Sequence, residues 1–333
     1  MEPIPGGGGP SPPRPSDRRV PAPDIEVTPF DGALPLSRGA PERALRRKDH
    51  YRRRARVTDC ETLTSTGTVL ISLRVVDDEP FDAVPGYFVG IRADLGGLGV
   101  RRSPYCLSSP PNDERTFRLL VRRVPDGPVS VFLADLAAGD VIEFRGPSGR
   151  SMVPKAPDHE LVLLATGVGI GPLLALLGHI LPAGFDRSVR LYWGLRQVED
   201  VCLVDELERL GRSFPNFGYA ISLSQPPAGW RGLRGRLTES VPPLLRTLGG
   251  KQYYLVGNGA MIEEVAAVLS DLGVDTRCVH QEAYFNVKYR PDPHALADIR
   301  RRFVASDLFS PYAHQEAGGF LPERPVSRGR PAE

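Results

Sequence analysis

The stretch LVLLATGVGIGPLLALLGHI, from Leu161 to Ile180, decides the fold class of this chain of 333 residues. An apolar run ends at Ala165, glycines follow at positions 167, 169 and 171, and Pro172 opens a run of helix formers. Glycines let the backbone turn tightly and approach a ligand, and Pro suits the first position of a helix. Because a helix start with free N–H groups binds anions, the stretch predicts a strand, a phosphate-binding turn and a helix.

The composition narrows the class of protein. The formal net charge is +2, which gives no global argument for binding nucleic acid or a membrane surface. No apolar run approaches the roughly 18 to 20 residues of a membrane helix, and the N-terminus lacks a signal-peptide pattern. The four cysteines are far apart, so their spacing predicts neither a zinc site nor an iron–sulfur cluster. Few, scattered cysteines fit a reducing compartment, and the expected location is the cytoplasm.

Changes in composition divide the chain into four segments. Residues 1–48 are rich in Pro, Gly and Arg and predict a disordered basic extension. Residues 49–155 and 156–286 predict two domains, and residues 287–333 form a C-terminal extension. The basic run RALRRKDHYRRRARV near the first boundary is either a solvated helix and first strand or a patch for an acidic partner.

The first domain has a β pattern. Its short runs are rich in β-branched and aromatic residues and are bounded by Gly, Pro and Asp, with one helix, SVFLADL, between them. Several short strands with little helix predict a small closed barrel. The predicted strands are TVLISLRVV, GYFVGIRAD, TFRLLVRRV and DVIEFRGP.

The second domain alternates strands and helices. Strands LVLLAT, SVRLYWGL, FGYAISLS and QYYLVG are followed by predicted helices PLLALLGHIL, VEDVCLVDELERL, LTESVPPLLRTL and AMIEEVAAVLSDLG. This alternation predicts a doubly wound parallel sheet, in which ligands bind at the carboxyl ends of the strands.

The glycine turn therefore lies where a pyrophosphate would bind, although such turns also serve only to close a strand onto a helix. An ordinary NAD fold places an Asp or Glu at the end of the second strand to bind the ribose. Arg196 stands there instead, in YWGLRQ. The pattern favours a guanidinium near the ribose or its phosphate.

A second candidate site lies in the barrel, in the segment RRSPYCLSSPP. An aromatic ring can stack on a flat heterocycle, small hydroxyl or thiol groups can bond ring nitrogens, and an arginine can hold a phosphate. The segment brings together Arg102, Tyr105, Cys106, Ser108 and Ser109.

Gly127 and Ser130 form a further candidate phosphate site, at the start of the predicted helix SVFLADL. Ser130 is either an N-cap or part of a helix N-terminus that binds a second pyrophosphate. One phosphate-binding site in each domain predicts two bound dinucleotides.

In this order the segments resemble the ferredoxin–NADP reductase superfamily. The resemblance runs from about Tyr51 to Asn286 and rests on PGYFVGI, SPYCLSS, GPVSVFL, ATGVGIGP, YWGLRQVED, YLVGNGAMI and HQEAYF. It implies a β-barrel domain that binds FAD, followed by an α/β doubly wound domain that binds NADPH or NADH, without an iron–sulfur domain. The implied reaction moves a hydride from the nicotinamide to the flavin.

The resemblance also implies a set of site residues. The implied flavin-binding residues are Arg102, Tyr105, Cys106, Leu107, Ser108, Ser109, Gly127, Pro128, Val129 and Ser130. The implied coenzyme-binding residues are Thr166, Gly167, Gly169, Pro172, Arg196, Ser224, Arg231, Arg236, Gly257, Asn258 and Met261. The implied catalytic residues are Tyr105, Cys106, Glu282 and Phe285.

The chain departs from the family pattern at three positions with consequences for binding. Ser103 stands where the flavin-motif arginine is expected, so Arg102 is expected to need a bulge at Pro104 to reach a phosphate. Cys106 replaces a serine and is a weaker donor. Gln225 replaces an arginine near the coenzyme ribose, which predicts use of both NADPH and NADH.

The predicted function is an FAD-dependent NAD(P)H oxidoreductase that passes electrons to ferredoxin, flavodoxin or an oxygenase component. The alternative is a non-catalytic flavin-binding regulatory or electron-transfer subunit of a larger complex. Beyond Asn286, HALADIRRRF has helical character, and this tail is expected either to restrict access to the flavin or to cover an apolar patch or dock on a partner.

Overall fold

The computed structural model describes residues 53–284 and 292–302. Its first sheet is antiparallel and has six strands in the order β4-β3-β6-β1-β2-β5. An isolated bridge between Leu107 and Leu119 brings the two outer strands together, in keeping with the predicted barrel. The strands are β1 (Arg53–Thr62), β2 (Thr68–Val75), β3 (Tyr87–Asp94), β4 (Val100–Cys106), β5 (Thr116–Arg122) and β6 (Val141–Gly149), and helix α1 is Pro128–Ala134.

Alternating burial explains the first strand of the barrel. Ala55 and Val57 are buried in the barrel core, whereas Arg54 and Arg56 between them are exposed. Arg54 and Arg56 therefore lie on the outer face of a strand, which is compatible with both interpretations of the basic run. Arg53 is the exception: it is buried and holds Asp77 at 3.0 Å. The basic run before Arg53 lies outside the described residues.

Strand β4 was not predicted as a strand, because it carries two arginines and Pro104. It lies at one end of the strand order, where a proline without an N–H is tolerated. The four strands that the pattern did predict in the barrel are confirmed as β2, β3, β5 and β6.

The second sheet is parallel, in the order β10-β9-β8-β7-β11-β12. Five of the seven residues of β7 are buried, as expected for a strand covered on both faces. The strands are β7 (Glu160–Thr166), β8 (Val189–Leu195), β9 (Phe217–Leu223), β10 (Leu233–Arg234), β11 (Lys251–Asn258) and β12 (Val279–Tyr284); the helices are α2 (Ile170–Ile180), α3 (Val204–Ser213), α4 (Leu237–Ser240), α5 (Gly259–Asp271) and α6 (Pro293–Arg301).

Two predicted helices of this domain are shorter than expected. The helix expected from Val198 is broken: a 3-10 turn spans Val198–Asp200, Leu203 has a left-handed φ of 56°, and α3 begins at Val204. The segment LTESVPPLLRTL forms only α4 and a 3-10 turn at Pro242–Leu244, because its prolines end the helix.

The helical character predicted beyond Asn286 is confirmed by α6. This helix packs against α5, with Ile299 buried and Arg300 lying 3.9 Å from Asp271. None of the helices in the described part of the chain is long and apolar enough to cross a membrane. The four segment boundaries proposed from composition stay predictions.

Candidate active site

Two adjacent clefts open between the barrel and the parallel sheet. The barrel cleft, of about 690 Å³, is lined by β4, the end of β5, the start of α1 and the end of β12. The sheet cleft, of about 760 Å³, lies at the carboxyl ends of β7, β8, β9 and β11, where a doubly wound sheet binds ligands. Leu120, Arg122 and Val168 line both clefts, so the two binding spaces share a wall.

Tyr105 and Cys106 lie in the barrel cleft, as predicted. Burial raises the pKa of Tyr105 to about 12 and that of Cys106 to about 12. Both side chains are therefore neutral near pH 7, and Cys106 presents a thiol rather than a thiolate. The phenol ring offers a flat apolar surface, and the thiol offers only a weak hydrogen-bond donor.

Strand β12 brings Glu282 and Tyr284 to the same cleft. Burial raises the pKa of Glu282, and the nearby charge of Arg150 opposes this effect. The Tyr284 hydroxyl is buried beside the Cys106 thiol, and burial raises its pKa. A hydroxyl and a thiol side by side at the wall of a cleft suit a bound group that carries ring nitrogens or oxygens. The residues present therefore fit a heterocyclic cofactor.

The bulge expected at Pro104 is absent, and that expectation was wrong. The ladder between β3 and β4 runs in register from the pair Asp94–Val100 to the pair Phe88–Cys106. Arg102 lines the cleft without a bulge. Arg101 lines it as well and was missed, although it lies on the same strand face as Ser103 and Tyr105.

The start of α1 lines the barrel cleft through Gly127, Pro128, Val129 and Ser130. The Ser130 hydroxyl donates to the carbonyl of Gly127 at 2.7 Å and accepts from the amide of Val124 at 3.0 Å. It is thus used within the turn, and Gly127 rather than Ser130 occupies the N-cap position. A Cβ on Gly127 would lie 2.8 Å from the Ser130 Oγ, so a larger residue here would disturb the hydrogen bonds of Ser130.

Three predicted flavin-binding residues do not line the cleft. Leu107 is buried in the barrel core. The Ser109 hydroxyl accepts from the amide of Arg118 at 3.0 Å and so stabilises the fold. Ser108 is buried against Gly171 at the contact between the domains. These side chains follow the end of β4, where the chain enters the domain interface.

In the sheet cleft, the predicted glycine turn meets the start of α5. Thr166, Gly167, Asn258 and Met261 all line the cleft. The Thr166 hydroxyl accepts from the amide of Asn258 at 2.7 Å and joins the two turns. Trp193 supports the first turn by donating to the carbonyl of Gly167 at 2.8 Å.

Three predicted coenzyme-binding residues of these turns have other positions. Gly169 and Gly257 do not line the sheet cleft; they allow close packing, since a Cβ on Gly169 would lie 2.6 Å from the carbonyl oxygen of Val256. Pro172 lines the barrel cleft instead. These two glycines therefore let the turns pack closely against each other, and they do not themselves form part of the cleft surface.

Arg196, Ser224 and Arg236 line the far end of the sheet cleft. Arg196 Nε donates to the side-chain Oε1 of Gln225 at 3.3 Å, and the backbone N–H of Gln225 donates to the backbone carbonyl of Arg196 at 2.7 Å. Arg231 does not line the cleft. Two guanidinium groups therefore face this end of the cleft.

Sequence reasoning missed the wall that the barrel contributes to the sheet cleft. Arg122 Nη1 lies 2.9 Å from Asp200 Oδ1, and the Thr66 hydroxyl donates to the same oxygen at 2.6 Å. Burial acts to raise the pKa of Asp200, but the hydrogen bonds from Thr66 and Arg122 outweigh it and hold the pKa below its usual value. No local pattern signals this contact, because Arg122 and Asp200 are 78 positions apart.

Phe285 lies outside the described residues. Within residues 53–284 and 292–302, no group of three or more His, Cys, Asp or Glu side chains is arranged to hold a metal ion.

Comparison with known proteins identifies both domains. The model of oxidoreductase FAD-binding domains matches residues 55–152, and that of oxidoreductase NAD-binding domains matches residues 163–267. The matches place the FAD-binding domain on the barrel and the NAD-binding domain on the parallel sheet. Fold and site therefore define a flavin- and nicotinamide-dependent oxidoreductase.

Curated relatives specify the family further. Over 222 residues the chain is 32% identical to ferredoxin–NADP reductase B of Sorangium cellulosum, covering 64% of this chain and 90% of that protein. It is 28% identical to the reductase component of propane 2-monooxygenase of Rhodococcus jostii, covering 66% of this chain and 60% of the relative. The chain belongs to the ferredoxin–NADP reductase family.

Solved structures agree with this assignment. The cytochrome P450 reductase GcoB of Amycolatopsis aligns with a TM-score of 0.62 at 26% identity, covering 69% of each chain. A ferredoxin–NADP reductase of Neisseria gonorrhoeae with bound FAD and NADP aligns with a TM-score of 0.57 at 20% identity, covering 70% of this chain and 98% of the other. The second likeness supports the fold alone.

Proposed function

We propose that this chain is an NAD(P)H oxidoreductase that holds FAD in the barrel cleft and passes electrons from NADPH or NADH to a separate protein. The observation that carries the proposal is the shared wall: one cleft of each domain meets the other at Leu120, Arg122 and Val168. Bound FAD would supply the redox chemistry, accepting a hydride from the nicotinamide. The protein's part is to bind, orient and exclude water.

The barrel residues suit the binding of a flavin dinucleotide. Tyr105 and Tyr284 offer aromatic surface in the barrel cleft, and such surface stacks on flat heterocycles. Arg101 and Arg102 offer guanidinium groups at the same cleft for the pyrophosphate. Cys106 contributes a neutral thiol at the flavin edge.

Glu282 suits a role in proton transfer. It lines the barrel cleft, and burial raises the pKa of its carboxyl group. A carboxyl with a raised pKa holds a proton closer to neutral pH than an ordinary glutamic acid does. We assign Glu282 as the group that exchanges protons with the flavin site.

The sheet cleft suits a nicotinamide dinucleotide. The joined turns at Thr166 and Asn258 would accept the pyrophosphate, and Arg196 and Arg236 would face the ribose or its phosphate. Gln225 binds Arg196 without adding a guanidinium of its own. We therefore propose that the protein uses both coenzymes with a modest preference.

The proposed acceptor is a ferredoxin, a flavodoxin or an oxygenase component. The relatives named above are a ferredoxin–NADP reductase and the reductase component of an oxygenase, which supports this class of acceptor. The alternative of a non-catalytic flavin-binding subunit draws no support from these names.

The test begins with the visible spectrum of the purified protein. Anaerobic titration with NADPH and with NADH should bleach the flavin band, and multiple turnovers should follow with an artificial acceptor. A folded protein that stays colourless with added FAD would contradict the cofactor assignment. Flavin that is bound but never turned over would favour the non-catalytic subunit.

A further inference from the structure

The contact between Arg122 and Asp200 is the centre of a small network across the domain boundary. Arg122 ends strand β5 of the barrel, and Thr66 lies in the turn between β1 and β2. Asp200 belongs to the 3-10 turn after β8 of the parallel sheet. Arg122 Nη1 donates to Thr66 Oγ1 at 2.8 Å, and the Asp200 side chain is only 11% exposed. A nearly buried carboxylate of one domain is therefore held by two side chains of the other.

Arg122 has a place in the molecule that no other charged residue of the described chain shares, because it lines both clefts. Its Nη1 makes the contacts to Asp200, Thr66 and Thr68. Its Nε and Nη2 have no hydrogen-bond partner among the described residues. The network thus fixes one edge of the guanidinium in the shared wall.

We infer that Asp200 is a positioning residue for hydride transfer, which acts by holding Arg122 in the wall between the two clefts. The inference rests on the proposed function. Transfer between two bound rings depends strongly on their separation, and a misplacement of about 1 Å can cost about 100-fold in rate. A contact that fixes the barrel against the sheet at this wall keeps the distance and orientation between the two clefts constant.

The chain offers a matched control. Arg118 of β5 and Glu206 of α3 form a second ion pair between the same two domains, at 3.2 Å. Glu206 is also largely buried, with 19% of its side chain exposed. Neither residue lines a cleft. Loss of this pair should weaken the interface without moving the shared wall.

The experiment compares Asp200→Asn, Glu206→Gln and the unmodified full-length protein, each loaded with FAD. Stopped-flow absorbance gives the limiting rate of flavin reduction at saturating NADPH and NADH, and fluorescence gives the affinity for FAD. We expect Asp200→Asn to lower the limiting rate at least about tenfold with FAD affinity unchanged, and Glu206→Gln to change it less than about twofold.

A second set of variants shows whether Asp200 acts through Arg122. If it does, the double variant Arg122→Gln/Asp200→Asn should be no slower than Arg122→Gln alone. If Asp200→Asn does not fold, Thr66→Ala tests the same network, because it removes the hydrogen bonds of an uncharged hydroxyl and leaves the Arg122–Asp200 ion pair in place. We expect it to lower the same limiting rate by a smaller factor, again without a loss of FAD affinity.

Equal limiting rates for Asp200→Asn and Glu206→Gln would overturn the positioning role and leave the proposed function standing. Additive losses in the double variant, or an unchanged rate in Thr66→Ala, would also contradict it. FAD-loaded unmodified protein that neither coenzyme reduces would overturn the proposed function and this inference together.

Discussion

Tyr105 places an aromatic ring in the barrel cleft one residue before the end of β4, on a strand that the sheet holds in register. We expect Tyr105→Ala to weaken FAD binding about 2- to 10-fold, because aromatic stacking contributes roughly 0.5–1.5 kcal/mol beyond the buried area. Fluorescence titration of the apoprotein with FAD measures the effect. Tyr219→Ala is the control, since Tyr219 lines neither cleft. Equal losses in the two variants would assign Tyr105 to the barrel wall.

A second prediction at the scale of the residue concerns Gln225, which lines the sheet cleft, and the choice of coenzyme. In the unmodified protein we expect the kcat/KM values for NADPH and NADH to differ by less than about a thousandfold, or roughly 4 kcal/mol. Gln225→Arg should raise the ratio in favour of NADPH about tenfold, because a bond to a charged group contributes roughly 1.5–3 kcal/mol. Steady-state kinetics with both coenzymes test this, with Arg231→Gln as the control outside the cleft. A ratio that Gln225→Arg leaves unchanged would place the 2′-phosphate elsewhere.

At the scale of the element, α6 shows what the described part of the C-terminal extension does. The helix packs on α5, and its residues line neither cleft. This position favours the covering of an apolar surface over the restriction of access to the flavin, as far as the described residues reach.

If α6 only covers an apolar surface, a variant that weakens its packing should lower the free energy of unfolding without changing the turnover rate. Ile299→Ala should lower the free energy of unfolding by about 2 kcal/mol, the lower end for a buried Ile, because a short surface helix can shift to close the space that the smaller side chain leaves. Denaturant unfolding measures this, and turnover with a small artificial acceptor should stay the same. Truncation after Asn286 extends the test to the whole tail: faster turnover with FAD still bound would restore the gating hypothesis.

At the scale of the whole molecule, a half-buried histidine is expected to link stability to pH. His280 of β12 stacks on Tyr254 with ring centroids 4.4 Å apart, and its Nε2 lies 3.0 Å from Gln252 Oε1. Burial lowers the pKa of His280, and the charge of Lys155 lowers it further. The unfolded chain therefore binds a proton at a higher pH than the folded one.

It follows that the stability contributed by neutral His280 is complete above the ordinary pKa of about 6.5 and is lost as the pH falls toward the lower folded pKa. We expect the free energy of unfolding to decrease from pH 7 to pH 5, and His280→Phe to remove part of that slope while keeping the stack. Denaturant unfolding at both pH values measures it, with His294→Gln on the exposed part of α6 as the control. Part of the dependence of stability on pH should remain in His280→Phe, because burial lowers the pKa of His179 too. An identical slope in His280→Phe would contradict the assignment.

Local sequence determined most of the elements and one part of each cleft. The apolar run before Gly167 and the helix formers after Pro172 are sufficient to predict β7, its turn and α2, since each depends on residues a few positions away. The order of the segments then predicted the family. Strand β4 was not predicted, because its two arginines and its proline are compatible with a strand only at the edge of a sheet.

Only the tertiary structure decided which distant side chains meet. Tyr284 adjoins Cys106 because β12 ends at the barrel cleft, and Asp200 binds Arg122 because the turn after β8 faces the end of β5. Likewise, Ser108 and Ser109 belong to the predicted motif, yet Ser108 packs against Gly171 of the other domain, and the Ser109 hydroxyl accepts from the Arg118 amide within the barrel. Contacts of this kind depend on strand order and on how two domains pack, and a local pattern carries no information on either.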